Sequence, residues 1–122
     1  MKELKIIVNR LIPFKRYKLI TLFDHIFVRE ENKDKITPID KNHENTHATQ
    51  VRDFGIGFYG YFIFYVLYIL EWVLKLPTAL FGYKPYRSVS WEQEAYINQW
   101  NLNYLKIRKR YAWVKYIFKL VK

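Results

Sequence analysis

His43 and His47 stand four residues apart in the run His43-Glu44-Asn45-Thr46-His47. On a helix, side chains at i and i+4 lie on one face, one turn apart, so both imidazoles reach a common point. Two neutral imidazoles are good ligands for Zn2+, and a carboxylate beside them is placed to take a proton from a zinc-activated water. This H-E-x-x-H spacing is the one that zinc-dependent peptide hydrolysis uses when it lies on a helix. The chain has three histidines and places two of them here. Chance supplies roughly 0.004 such matches in a chain of this composition. The plain alternative is a polar helix with two incidental histidines, and the scarcity of histidine weighs against it.

Zinc held by protein needs a third ligand. The sequence contains no cysteine, so thiolate sites and disulfides are excluded and the ligand must be His, Asp or Glu. His25 falls on an expected strand, on the wrong side of the turn that opens the zinc helix. Glu92 and Glu94 are the only acids after Glu71. Both fall in the first turn of a second expected helix, where either supplies the ligand or serves as an ordinary helix-dipole acid.

The elements that must position these groups are marked locally. Thr37-Pro38-Ile39-Asp40 combines an N-cap residue, a proline at the first helical position and an acid that closes a capping box. That start places residues 43–47 in the second and third turns. Upstream, Ile6-Ile7-Val8 and the stretch Tyr17 to Val28 have strand composition, separated by Pro13. The polar run 29–35 reads as a turn, and Ile36 opens a further short strand. Ser90-Trp91-Glu92-Gln93 reads as another capping box, opening a helix at about Trp91 that Asn101-Leu102-Asn103 ends. Length fits one domain over 1–122. The expected fold is α+β: a small N-terminal antiparallel sheet, the zinc helix, an aromatic membrane-associated hairpin or in-plane helix, and C-terminal helices.

The net charge of +10 and 20% aromatic residues point to nucleic acid or an anionic membrane surface. The aromatics are gathered in one apolar run and a basic tail, not spread as base-stacking platforms, so membrane is the better reading and nucleic acid the weaker one. Phe54 to Leu70 holds no charged residue, a borderline length for a transmembrane helix. Glu71 marks its water-side end and Trp72 an interfacial anchor. Residues 106–122 carry seven Lys/Arg and no acid, with Tyr111, Trp113, Tyr116 and Phe118 between them, which suits a headgroup layer. Gly55-Ile56-Gly57-Phe58-Tyr59-Gly60 matches a dinucleotide fingerprint in letters only; no strand precedes it, and close helix packing explains it better. The N-terminus lacks the features of a secretory signal, so a cytoplasmic face rather than secretion is expected.

The zinc and membrane readings constrain each other. A simple span between His47 and Glu92 would part them by about 30 Å. Residues 1–53 carry 11 Lys/Arg and residues 75–122 carry 10, so both flanks belong on one side. The segment 54–82 must therefore return.

The chain resembles a family of short bacterial and phage-type membrane-associated zinc peptidases of the gluzincin type. The resemblance runs through Ile12-Pro13-Phe14, Ile26-Phe27-Val28-Arg29, Asn42 to Gln50, Glu71-Trp72, Trp91-Glu92-Gln93-Glu94-Ala95-Tyr96 and Tyr104 to Arg110. It implies Glu92 as third ligand with Ala95 as the small residue after it, and leaves Glu94 as the alternative. Tyr96 then stands where an acid commonly orients a zinc-bound histidine. It also implies that an edge strand, residues 20–28 or the stretch at Ile36, binds extended peptide. Zn2+ would be held by His43, His47 and Glu92, Glu44 would activate water, and Tyr96 or Tyr111 is the candidate for stabilising an oxyanion. The alternative is an inactive membrane-associated or assembly protein retaining a zinc-binding fold.

Overall fold

The computed structural model describes residues 4–10, 19–22, 25–55 and 57–122. Ile12-Pro13-Phe14 and the start of the expected second strand at Tyr17 lie outside them. Strands β1 (Lys5–Asn9), β2 (Leu19–Leu22) and β3 (His25–Arg29) form one sheet in the order β1-β3-β2. β2 is antiparallel to β3, pairing Leu19 with Val28 and Leu22 with His25. β1 runs parallel to β3, pairing Lys5 with His25 and Asn9 with Arg29. The sheet is thus mixed rather than antiparallel. Composition marks a strand but not its neighbour's direction, and β2 takes one edge of β3 and leaves β1 the other. Ile36 belongs to no strand. On β3, Ile26 and Val28 are buried and their neighbours are half-buried, the period of two expected of a one-sided strand.

Helix α1 (Pro38–Arg52) begins as its capping signature requires. The Thr37 hydroxyl accepts the Asp40 N–H at 3.1 Å, and the Thr37 N–H donates to the Asp40 carboxylate at 2.9 Å. A tight turn leads to α2 (Gly57–Lys75), with Gly55 and Gly57 at φ of 128° and 68°. At Gly60 a Cβ would lie 2.4 Å from the Gly55 carbonyl oxygen. The three glycines therefore serve backbone turning and close approach.

Residues 57–75 form one continuous helix, not a hairpin. It runs on as a 3-10 turn (Leu76–Phe81), and Gly82, at φ 86°, reverses the chain. The return passes through α3 (Pro85–Ser88) and α4 (Ser90–Asn98), then α5 (Tyr104–Ile107) and a 3-10 turn at Ala112–Tyr116. The expected Ser90 capping box does not form: the N-cap is Val89 and makes no side-chain cap. Glu71 of α2 takes both Ser90 groups instead, accepting the backbone N–H and the hydroxyl at 2.6 Å each. The Gln93 amide turns the other way and donates to the carbonyls of Ser88, Tyr116 and Lys119. Lys75, paired with Glu71 at 2.7 Å, also donates to the Ser88 carbonyl.

The core is aromatic: Tyr61, Phe64, Trp91 and Trp113 pack with Val51 and Val89. Trp91 and Trp113 lie 4.6 Å apart between ring centroids. The basic tail thus differs from the free amphipath that its composition indicated, because Trp113 and Tyr116 are buried.

Arg108 goes deepest, with a side chain 2% exposed. Its guanidinium grips Asp53, at the end of α1, through two bonds of 3.1 and 2.7 Å. It also donates to both oxygens of Glu94 on α4, at 2.5 and 3.1 Å. The Trp113 indole N–H and the Tyr104 hydroxyl complete the cluster, donating to Asp53 and Glu94. Burial works against a charged Arg108, but the two carboxylates outweigh it and hold its pKa above the ordinary value. Removing the cation strands two buried acids, and such losses cost about 3–5 kcal/mol. Arg108→Ala is therefore expected to lower the melting temperature by roughly 10 °C or more, read by thermal unfolding followed by circular dichroism. A shift within a degree or two would show that the pair carries no net stability.

Candidate metal centre

His43, Glu44 and His47 are all buried on α1. Glu92, in the first turn of α4, is 3% exposed and lies opposite them. The His43 and His47 Nε2 atoms are 3.2 Å apart. Glu92 Oε1 is 3.3 Å from the first and 3.2 Å from the second. Three ligands on a tetrahedral ion at about 2.0–2.1 Å stand about 3.3–3.4 Å from each other. The triangle has the size of one face of that tetrahedron.

The polar chemistry fits an ion. His43 Nδ1 lies 2.8 Å from the Gln99 side-chain oxygen, and His47 Nδ1 lies 2.9 Å from that of Gln50. The Gln50 amide nitrogen donates to the Trp91 carbonyl and to Glu94 Oε1, each at 2.9 Å, so its oxygen must face His47. An oxygen acceptor at Nδ1 puts the hydrogen there and frees the Nε2 lone pair. Glu92 Oε1 is buried without a hydrogen-bond partner, although both imidazoles are near. The nitrogens are close but not aligned as donors. A proton satisfies one pair among these three atoms; a metal ion satisfies all three.

Of the residues singled out in the sequence, His43, His47 and Glu92 converge and Glu44 adjoins them. Glu94 does not: it faces Arg108, Tyr104 and Gln50. His25 is half-buried on β3 and is not among the three grouped side chains. Tyr96 braces His43 edge-on, with centroids 4.4 Å apart and the Arg87 guanidinium 3.6 Å over its ring. Tyr111 packs on Phe54 and Trp113. Neither tyrosine lines the cavity beside the site.

Three others, Tyr65, Tyr68 and Tyr86, do, and two of these reach Glu92. The Tyr68 hydroxyl donates to Glu92 Oε2 at 2.7 Å, and Tyr86 also hydrogen-bonds that carboxylate. Burial, then the Glu92 charge, raises the Tyr86 pKa well above the ordinary tyrosine value, so its hydroxyl stays a neutral donor. The cavity holds about 290 Å³, and Glu44, His47 and Glu92 form one wall. Leu19, Ile20, Phe64, Tyr65, Tyr68 and Tyr86 line the rest. Gln50 was detectable as the residue one turn past His47. Gln99, Tyr68 and Tyr86 carry no local signal, since Gln99 reaches His43 across 56 residues.

Asn42 explains how Gln99 arrives. Its side-chain nitrogen donates to the carbonyls of Asn98, Gln99 and Asn101, tying the C-terminal end of α4 to α1.

Compared with protein-family models, curated proteins and solved structures, the chain has no match.

Burial disfavours a charged His47, but the Glu92 charge and contact, with Glu44 behind them, raise its pKa from 6.5 to about 9. Burial likewise opposes a charged Glu92, and the two histidines overcome it, holding its pKa well below 4.5. In metal-free protein the raised His47 contributes stability in full below pH 6.5 and loses it as pH rises through 9. The lowered Glu92 contributes stability above pH 4.5 and loses it in stronger acid. A metal competes with the His47 proton for one lone pair. In metal-free protein the His47 imidazole, followed by NMR, is expected to titrate at about pH 9, and zinc is expected to abolish that titration. A His47 titration that zinc leaves unchanged would contradict its assignment as a ligand.

Proposed function

We propose that the protein is a membrane-associated zinc peptidase, with His43, His47 and Glu92 as ligands. The observation that carries this reading is the 3.2–3.3 Å triangle of ligand atoms with Glu44 on the same cavity wall. His43, His47 and Glu92 would hold the zinc ion, which would supply Lewis-acid polarisation of a carbonyl and a water of pKa near 7. Glu44 accepts a proton as the water oxygen adds to the carbonyl carbon, and returns it to the amide nitrogen as the C–N bond breaks. The products are a carboxylic acid and an amine. Tyr68 and Tyr86, whose hydroxyls donate to the Glu92 carboxylate, orient that ligand. Gln50 and Gln99 keep the imidazoles in the ligating tautomer.

The substrate runs extended along β2 in this reading. β2 is an edge of the sheet, and among the described residues no strand pairs with its outer side. Leu19 and Ile20 bring that edge to the cavity. The resemblance to gluzincins agrees with a glutamate third ligand from a later helix. Membrane association is supported by the stretch Gly57–Phe81, long and apolar enough to cross a bilayer, with 11% of its most apolar window buried. The matched positive charge of the two flanks favours the cytoplasmic face.

Metal analysis and a peptide-cleavage assay test the reading together. Wild type is expected to carry one zinc per chain. Glu44→Gln is expected to keep the metal and lose cleavage by about 10²–10⁴-fold. Glu92→Ala is expected to lose metal and activity, while Glu94→Gln, which keeps a side-chain oxygen for Gln50 and Arg108, is expected to keep its zinc. Zinc retained without cleavage of any peptide would favour a structural zinc protein.

A further inference from the structure

The wall that α2 gives the cavity is one side of a helix whose other side is bare. Gly60, Tyr61 and Phe64 are buried, and Tyr68 and Glu71 are partly covered. Around the rest, Phe58, Phe62, Val66, Ile69, Leu70 and Val73 are 47–66% exposed. At 100° per residue the exposed positions from Trp72 to Leu74 cover roughly 200° of the circumference without a charge. At about 1.5 Å per residue the 19-residue helix is roughly 28 Å long. This is far more apolar surface than scattered exposed side chains produce.

Cations stand where the bare surface ends. Leu80 and Phe81 are 86% and 74% exposed. Next to them, the Lys84 N–H donates to the Val121 carbonyl and Lys122 lies 5.1 Å over the Tyr83 ring. Apolar side chains bordered by lysines complement an anionic bilayer, acyl chains below and headgroups at the edge.

Tyr65 joins this surface to the cavity. It lines the cavity, yet Ile69, one turn on, and Phe62, one turn back, are exposed at 57% and 58%. Across from it Ile20, also a lining residue, is 36% exposed. The mouth of the cavity therefore borders the apolar face.

We infer that α2 lies along an anionic bilayer with its bare face immersed, and that the cavity receives an apolar stretch of membrane-anchored polypeptide from the lipid side. The second half of this inference rests on the peptidase reading; the first half does not.

The test uses the zinc-loaded full chain with vesicles of phosphatidylcholine, with or without phosphatidylglycerol. The protein is expected to float with the anionic vesicles, and brominated acyl chains are expected to quench Trp72, a signal that Trp72→Phe removes. Phe62→Glu and Ile69→Glu, outside the cavity lining, are expected to weaken vesicle binding at least tenfold with zinc content unchanged. Phe62→Ser serves the same purpose should a glutamate impair folding. One apolar peptide carrying an acyl anchor is expected to be cleaved at least tenfold faster on vesicles than the same peptide without it. Absent vesicle binding, or binding that both glutamates leave intact, overturns the inference. A dimer that Phe62→Glu dissociates, without vesicle binding, overturns it by assigning the face to a second copy. Equal cleavage of the two peptides overturns the lipid-side route and leaves hydrolysis standing. Vesicle binding with Trp72 quenched and neither peptide cleaved refutes the peptidase reading and leaves the docking face.

Discussion

One buried cation holds the molecule in register. Arg108 joins the end of α1 to α4 through Asp53 and Glu94, away from water. Glu94 then takes the Gln50 amide, and Gln50 presents its oxygen to His47. A charge far along the sequence thereby sets which imidazole nitrogen faces the ligand triangle. Buried ion pairs are poor sources of net stability, since desolvation offsets attraction. Their value here is directional: the carboxylates cannot rotate away without stranding an unpaired charge.

Helix α4 distributes the work among consecutive side chains. Glu92 turns to the histidines, Gln93 to the carbonyls of the tail, and Glu94 to Arg108. Successive residues on a helix point about 100° apart, so three neighbours serve three partners. A one-residue shift of α4 would put the Gln93 amide or the Trp91 indole before His43 and His47.

The features read from sequence were those with local causes. The α1 start is a contact between residues three apart, and the histidine pair needs only helical spacing. The α+β class followed from patterning in the same way. Glu92 and Glu94 could not be separated, because which face of α4 meets α1 is decided by packing, above all by the Asn42 contacts. The Ser90 cap was misread because Glu71, 19 residues earlier, supplies a stronger acceptor. The inward turn of Trp113 and Tyr116 was not legible, because lysines and aromatics alternate alike in a headgroup layer and in a segment that folds inward. Strand direction in the sheet left no trace in composition.

The Asn42, Gln50 and Asp53 contacts also constrain how the molecule assembles. They join α1 to partners 41–60 residues later. Long loops must close before these bonds form, whereas α2 between them needs only neighbouring residues. During synthesis α2 is complete before α4 exists, so the side of Phe64 and Tyr68 that Trp91 covers is bare for a time as well. A chain emerging near a bilayer would then have its apolar helix engaged first, and the two halves of the ligand set would close over a helix already held.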